Sequence, residues 1–232
     1  MKNIKPTYIF YYFSSLVALI IATFFDRKFL AFALPAIIVS IGILYVRNTK
    51  KINIFYILIL LILAIFNSLV YLDFKANIPY LLILLIAYFL LCMLVLRTFF
   101  PSEKITLKSF VSLSFVIGSF LTIYILFAFS LLILPYIKDF IVIFVSATIF
   151  FLCYFLMSYR IYISDGYTGS IKLLIIAYLI LFGIPLIAIN ELFYYDRIFT
   201  ILITVTQILR YYIFTTFLIE TKKTPSKNQQ YL

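Results

Sequence analysis

Apolar residues along this chain come in blocks, not in a two-residue alternation. Runs of about 20 apolar residues are separated by short polar breaks: DRK at 26–28, RNTKK at 47–51, DFKAN at 73–77, PSEK at 101–104 and KD at 138–139. A bilayer core of about 30 Å takes about 20 residues of helix. Eight runs meet that length, over about 7–25, 29–46, 52–72, 78–99, 109–134, 140–159, 172–190 and 198–220. Breaks this short make successive helices antiparallel neighbours. A barrel strand needs only about half the length and alternates. The pattern therefore predicts an all-α, polytopic membrane bundle of about eight transmembrane helices. Residues 1–220 form one transmembrane domain, and 221–232 a polar cytoplasmic tail.

Composition agrees with a bilayer as the solvent. Hydrophobic residues make up 66% and charged residues 12%, against about 25% charged in globular proteins. The net charge of +11 comes from Lys and Arg scattered at span ends. That distribution sets orientation and does not describe a nucleic-acid surface. The N-terminus and the breaks after spans 2, 4, 6 and 8 carry thirteen of these residues, and the breaks after spans 1, 3, 5 and 7 carry five. The excess predicts both termini in the cytoplasm, as an even number of spans requires. The first span lacks a small-residue cleavage site and reads as a mature helix, not a signal peptide. The expected location is a bacterial inner membrane, with lipids as partners. Cys92 and Cys153 fall inside apolar spans, so neither a disulfide framework nor a metal site is indicated, and no cofactor is expected.

The chain has no His, and all eight Asp and Glu lie in breaks or at span ends. The acids and bases usual inside membrane proteins are therefore missing. Glu191, Asp196 and Arg197 read as a solvated rim between spans 7 and 8, and 160–170 as a cytoplasmic turn. In span 5, Ser114, Gly118 and Thr122 share a face, a pattern for close helix packing. Arg210 is the one charge well inside a span. Placing it there costs about 2.5–3.5 kcal/mol on insertion scales. Two readings offset that cost: the side chain snorkels to the interface, or it faces an anion in an interior cavity. Thr200, Thr204, Gln207, Tyr211 and Thr215 lie within an arc of about 80° bordering Arg210. Such a stripe faces protein or water, not lipid tails. Asn67 and Ser68, deep in span 3, need hydrogen-bond partners: either interhelical contacts, or a site that Tyr88 of span 4 also lines. Pro185, after Gly183, is expected to loosen span 7.

Three stretches carry a family resemblance. They are Phe32-Ala33-Leu34-Pro35 with Asn48-Thr49-Lys50-Lys51, the run from Ile65 to Asp73 around Asn67-Ser68, and Leu186-Ile187-Ala188-Ile189-Asn190. In these, and in span number and loop length, the chain resembles the YhhN family of eight-span membrane proteins, which includes lysoplasmalogenases. The resemblance implies an interior cavity for a lyso-lipid or similar amphiphile. The departures fall on the polar positions of the family pattern. Its Lys before Pro corresponds to Leu34, its Gly-Asp to Asn67-Ser68 and its span 4 His to Tyr88. Its Ser-Asp-Ser corresponds to Gly183-Ile184-Pro185, and the Gln of its last span to Arg210. Vinyl-ether hydrolysis needs a general acid to protonate the alkene and a group to activate water. Neither stands at the matching positions, so hydrolase activity is not expected to survive. The substrate-binding candidates are Asn67, Ser68, Tyr88, Gln207 and Arg210. Two other functions fit the sequence: a small permease with Arg210 as its anion site, and a non-catalytic membrane scaffold.

Overall fold

The computed structural model describes residues 6–99, 113–164 and 166–222, and among them the chain is helical throughout apart from short connections. The helices are α1 (Pro6–Phe24), α2 (Leu30–Asn48), α3 (Ile54–Leu96), α4 (Leu113–Ile137), α5 (Ile141–Ile163), α6 (Ile171–Leu192) and α7 (Arg197–Glu220). Six continuous helical stretches are long and apolar enough to cross a membrane, two of them 46 residues long. The outer surface is apolar as well: Phe24, Phe32, Ile54, Phe120 and Val142 are each about 70% exposed. Side chains of this kind on an outside face call for a lipid environment.

Each 46-residue stretch folds back on itself. A straight α3 would hold Asn67 and Tyr88 about 31 Å apart at 1.5 Å per residue. Yet Asn67 bonds Tyr211 and Tyr88 lies against Arg210, neighbouring residues of α7. The reversal occurs at Asp73, the one residue of α3 with non-helical backbone (φ −159°, ψ 93°). The break DFKAN at 73–77 is helical except at Asp73. Asp73 Oδ1 accepts from the backbone N of Ala76 at 3.1 Å and caps the second arm. Asn77 Nδ2 donates to the Asp73 carbonyl at 2.6 Å and to that of Leu69 at 3.4 Å, capping the first. Two polar side chains satisfy the orphan groups of both helix ends, so no longer loop is needed. The second reversal is a 3-10 turn at Lys138–Phe140. It brings the rings of Phe129 and Phe144 to 6.1 Å.

Connections collect at two ends of the bundle. One end holds Arg27, Glu191 and Tyr195. At the other, Phe99 packs on Tyr167 and Phe217, Lys172 pairs with Glu220 at 2.8 Å, and Thr168 exchanges hydrogen bonds with the backbone of Lys222. Gly169 (φ 76°) supplies the left-handed residue that turns the chain into α6 there.

Between these ends, α3 and α7 meet through long side chains, Asn67 with Tyr211 and Tyr56 with Thr215. α2 and α5 pack on α3, α6 packs on α7, and α1 closes the ring against α2 and α7. Where helices approach closely, residues are small, since bulk apolar burial gives helices in lipid little reason to associate. Ser14, Ala18 and Ala22 of α1 are all buried, and Ser14 shares a 3.0 Å hydrogen bond with Ser40 of α2. Gly118 in α4 serves the same purpose: a Cβ there would stand 2.8 Å from the Tyr178 hydroxyl. Thr122 is buried and donates to the Gly118 carbonyl at 2.8 Å. The side chain of Ser114 lies outside the described residues, as does the tail beyond 222.

The solvated rim expected between spans 7 and 8 needs correction at Glu191. Its side chain is only 6% exposed and accepts from Arg27 Nη1 at 2.7 Å. Arg27 in turn lies 4.6 Å from the Tyr195 ring centroid. Glu191 occupies the last turn of α6, facing the α1–α2 connection, so tertiary packing covers a residue that sequence position alone places in water.

Candidate functional site

Four of the five sequence-selected residues converge at mid-depth. Asn67 is fully buried on the first arm of α3, Tyr88 on the second arm, and Gln207 and Arg210 on α7. Gln207 Nε2 donates to Asn67 Oδ1 at 3.2 Å. Asn67 Nδ2 donates to the Tyr211 hydroxyl at 2.7 Å. Arg210 Nη2 donates to the same hydroxyl at 3.3 Å. The guanidinium carbon lies 5.1 Å from the Tyr211 ring centroid and 5.9 Å from that of Tyr88. Ser68 is not part of this group. One residue further along the helix it faces α2 and donates to the Ala31 carbonyl at 2.9 Å, as the 100° turn per residue requires.

Arg210 does not reach for the interface. It is 8% exposed, thirteen residues after the start of α7 and ten before its end, and its guanidinium sits laterally between ring faces. Each such face stabilises a desolvated cation by about 0.5–2 kcal/mol. The ion pairs among the described residues, Arg27–Glu191 and Lys172–Glu220, lie at the two ends of the bundle. Arg210 therefore has no carboxylate among the described residues, and its Nε is enclosed with no hydrogen-bond partner there. The amide oxygen of Gln207 is likewise buried and unpaired.

The rest of the polar stripe is inside too. Thr200, Thr204, Gln207, Tyr211 and Thr215 are all buried. Asn190 Nδ2 donates to Thr200 Oγ1 at 3.2 Å while its oxygen accepts from the backbone N of Asp196 at 3.0 Å. Thr215 shares a 2.6 Å hydrogen bond with the Tyr56 hydroxyl, and the Tyr56 ring packs on Tyr45 at 4.5 Å. Two residues matter here that were not among the candidates. Tyr211 is the hub, accepting from two of them; its place on the stripe was the available signal. Cys92 is fully buried one turn beyond Tyr88, a position that apolar surroundings alone did not distinguish.

Beside this cluster is an apolar cavity of about 90 Å³. Its wall includes Phe66, Phe89, Phe129, Phe144, Phe151 and Pro185, and none of the five candidate residues. The backbone of α6 remains helical across Pro185, so the proline shapes the cavity wall without breaking the helix. Cavity and cluster share a depth, because Phe66 precedes Asn67 and Phe89 follows Tyr88 on the same two helical arms. The Phe89 ring touches that of Tyr88, with centroids 5.2 Å apart.

Chemically, the described interior offers one guanidinium, three carboxamides, phenols, hydroxyls and a thiol. It can hold an anion and orient a polar head group. It has no carboxyl group or imidazole at this depth with which to protonate carbon. No family model matches the chain, and neither does any curated protein or solved structure.

Proposed function

We propose that this chain is an eight-crossing protein of a bacterial inner membrane, a divergent YhhN-like member that holds a single-chain amphiphile and does not hydrolyse it. The observation that carries this reading is the pairing, at one depth, of a polar cluster around Arg210 with an apolar cavity. An amphiphile has the same two-part character. The reversals at Asp73 and Lys138–Phe140 supply two hairpins, and counting each 46-residue stretch as two crossings gives eight. The thirteen-to-five division of Lys and Arg puts both termini on the cytoplasmic side.

Topology is open to a direct test in a chain whose two native cysteines have been replaced. Single cysteines at positions 75 and 138 are expected to react with a membrane-impermeant maleimide added outside the cell, and one at position 51 is not. Labelling of 51 but not of 75 and 138 would reverse the orientation.

Function is tested by incubating purified protein with lysoplasmalogen, following aldehyde release and retention of the intact lipid. Binding without turnover is expected. Robust aldehyde release would overturn the reading, because the vinyl ether requires a proton donor that the described interior lacks. A non-catalytic scaffold is the second reading, favoured by the closure of Asn67, Gln207 and Tyr211 upon one another. No retained lipid together with co-purification of a fixed protein partner would support it.

A further inference from the structure

The charge of the ligand follows from what surrounds Arg210. Its guanidinium carries five N–H donors in a planar fork and makes one hydrogen bond among the described residues, to Tyr211. Nε is enclosed without a partner, and the residue is 8% exposed. Tyrosine rings lie against the guanidinium but contribute no negative charge. A cation so enclosed, with its fork unfilled, is matched by a carboxylate or phosphate, which accepts two N–H bonds in parallel.

The same surroundings disfavour a second, positive head-group charge. An ammonium needs a carboxylate or free aromatic faces. The acids Glu191 and Glu220 are paired at the ends of the bundle, and the ring faces of Tyr88 and Tyr211 are taken by Arg210 itself. Like-charge repulsion from the guanidinium adds to the penalty. The tail is limited in a different way. The cavity beside the cluster is small, about 90 Å³, and Thr148 is the one polar residue among the described residues of its wall. It accepts a segment of one alkyl chain, not two chains side by side. Beyond it stands α4, which contributes Leu126, Phe129, Ile133 and Ile137 to the wall while Phe120, Ile123 and Phe127 face outward.

We infer that the interior site takes a net-anionic, single-chain amphiphile, its carboxylate or phosphate monoester on the Arg210 fork and its alkyl chain in the neighbouring cavity. This rests on the reading of the interior as an amphiphile site and adds the sign of the head group. It narrows the lyso-lipid or similar amphiphile that the family resemblance implies.

The test is native mass spectrometry of the detergent-purified full chain with three probes: oleate, oleoyl lysophosphatidic acid and oleoyl lysophosphatidylcholine. The two anions are expected to bind at least tenfold more tightly than the choline lipid. Arg210→Gln is expected to weaken the anions at least tenfold and leave the choline lipid unchanged. Arg210→Lys keeps the charge without the fork and should fall between them. If Arg210→Gln does not fold, the head-group order in the native chain and in Arg210→Lys decides the matter. Equal binding of all three probes, unaffected at position 210, overturns the charge assignment and leaves the amphiphile site standing. Binding of none removes both. Whichever anion binds more tightly identifies the head group as carboxylate or phosphate.

Discussion

Arg27→Ala is expected to destabilise the protein by about 2–3 kcal/mol, more than Glu191→Gln, which should cost about 1 kcal/mol. The asymmetry follows from burial. The Glu191 side chain is 6% exposed and that of Arg27 is 31% exposed. Removing Arg27 strands a carboxylate under protein, where an uncompensated charge is most expensive. Removing the carboxylate strands a cation that still reaches water and still lies 4.6 Å from the Tyr195 ring. The partial exposure of Arg27 holds the estimate below the full buried-pair cost of about 3–5 kcal/mol. The double variant Arg27→Ala/Glu191→Gln is expected to recover most of the Arg27→Ala loss, since no charge is then left buried. Denaturant unfolding midpoints in detergent micelles measure all three. Equal, small effects from both single changes would return this pair to a solvated rim.

Asn67→Leu is the second large expected effect, about 2 kcal/mol. Asn67 is fully buried and joins two residues, accepting from Gln207 and donating to Tyr211. Hydrogen bonds between membrane helices average about 0.6 kcal/mol and reach about 1.7. The larger part of the loss comes from what remains: the Gln207 amide would have both ends unpaired, because its oxygen has no partner even now. Replacing both partners by apolar groups removes that penalty. Asn67→Leu/Gln207→Leu is therefore expected to be more stable than Asn67→Leu alone by about 1 kcal/mol, with Tyr211 still receiving the Arg210 donor. Additive losses in the same unfolding measurement would mean that the two amides are not coupled.

The contrast between these two cases marks what sequence reading reaches. Gln207 and Arg210 were legible because they interrupt an apolar helix, and hydrocarbon tolerates few such interruptions. The inward direction of the α7 stripe followed from its 100° periodicity alone. Nothing of that kind identified Glu191, which ends its helix beside a polar turn as many solvated residues do. Its burial depends on Arg27, 164 residues away in the chain. Asn67 and Ser68 are adjacent and chemically alike in promise, yet one joins the cluster and the other bonds α2. The position of α2 decides between them, and no local pattern encodes it. Asp73 lies in a short polar break of the sequence. Side-chain caps from Asp73 and Asn77 reduce that break to a single non-helical residue.

By itself, then, the sequence determined the solvent and the class of fold. Hydrocarbon leaves the backbone two ways to pair every group, the helix and the closed barrel, and long runs without alternation fit only the helix. It also determined what chemistry is missing, since a chain without His and without carboxylates inside its spans has few proton donors to arrange. The tertiary structure decided which polar groups meet. Helices in lipid associate through close packing and a few hydrogen bonds, so partners are chosen by the shape of whole faces. That choice left Arg210 between two tyrosine rings, beside an apolar cavity and without a carboxylate among the described residues.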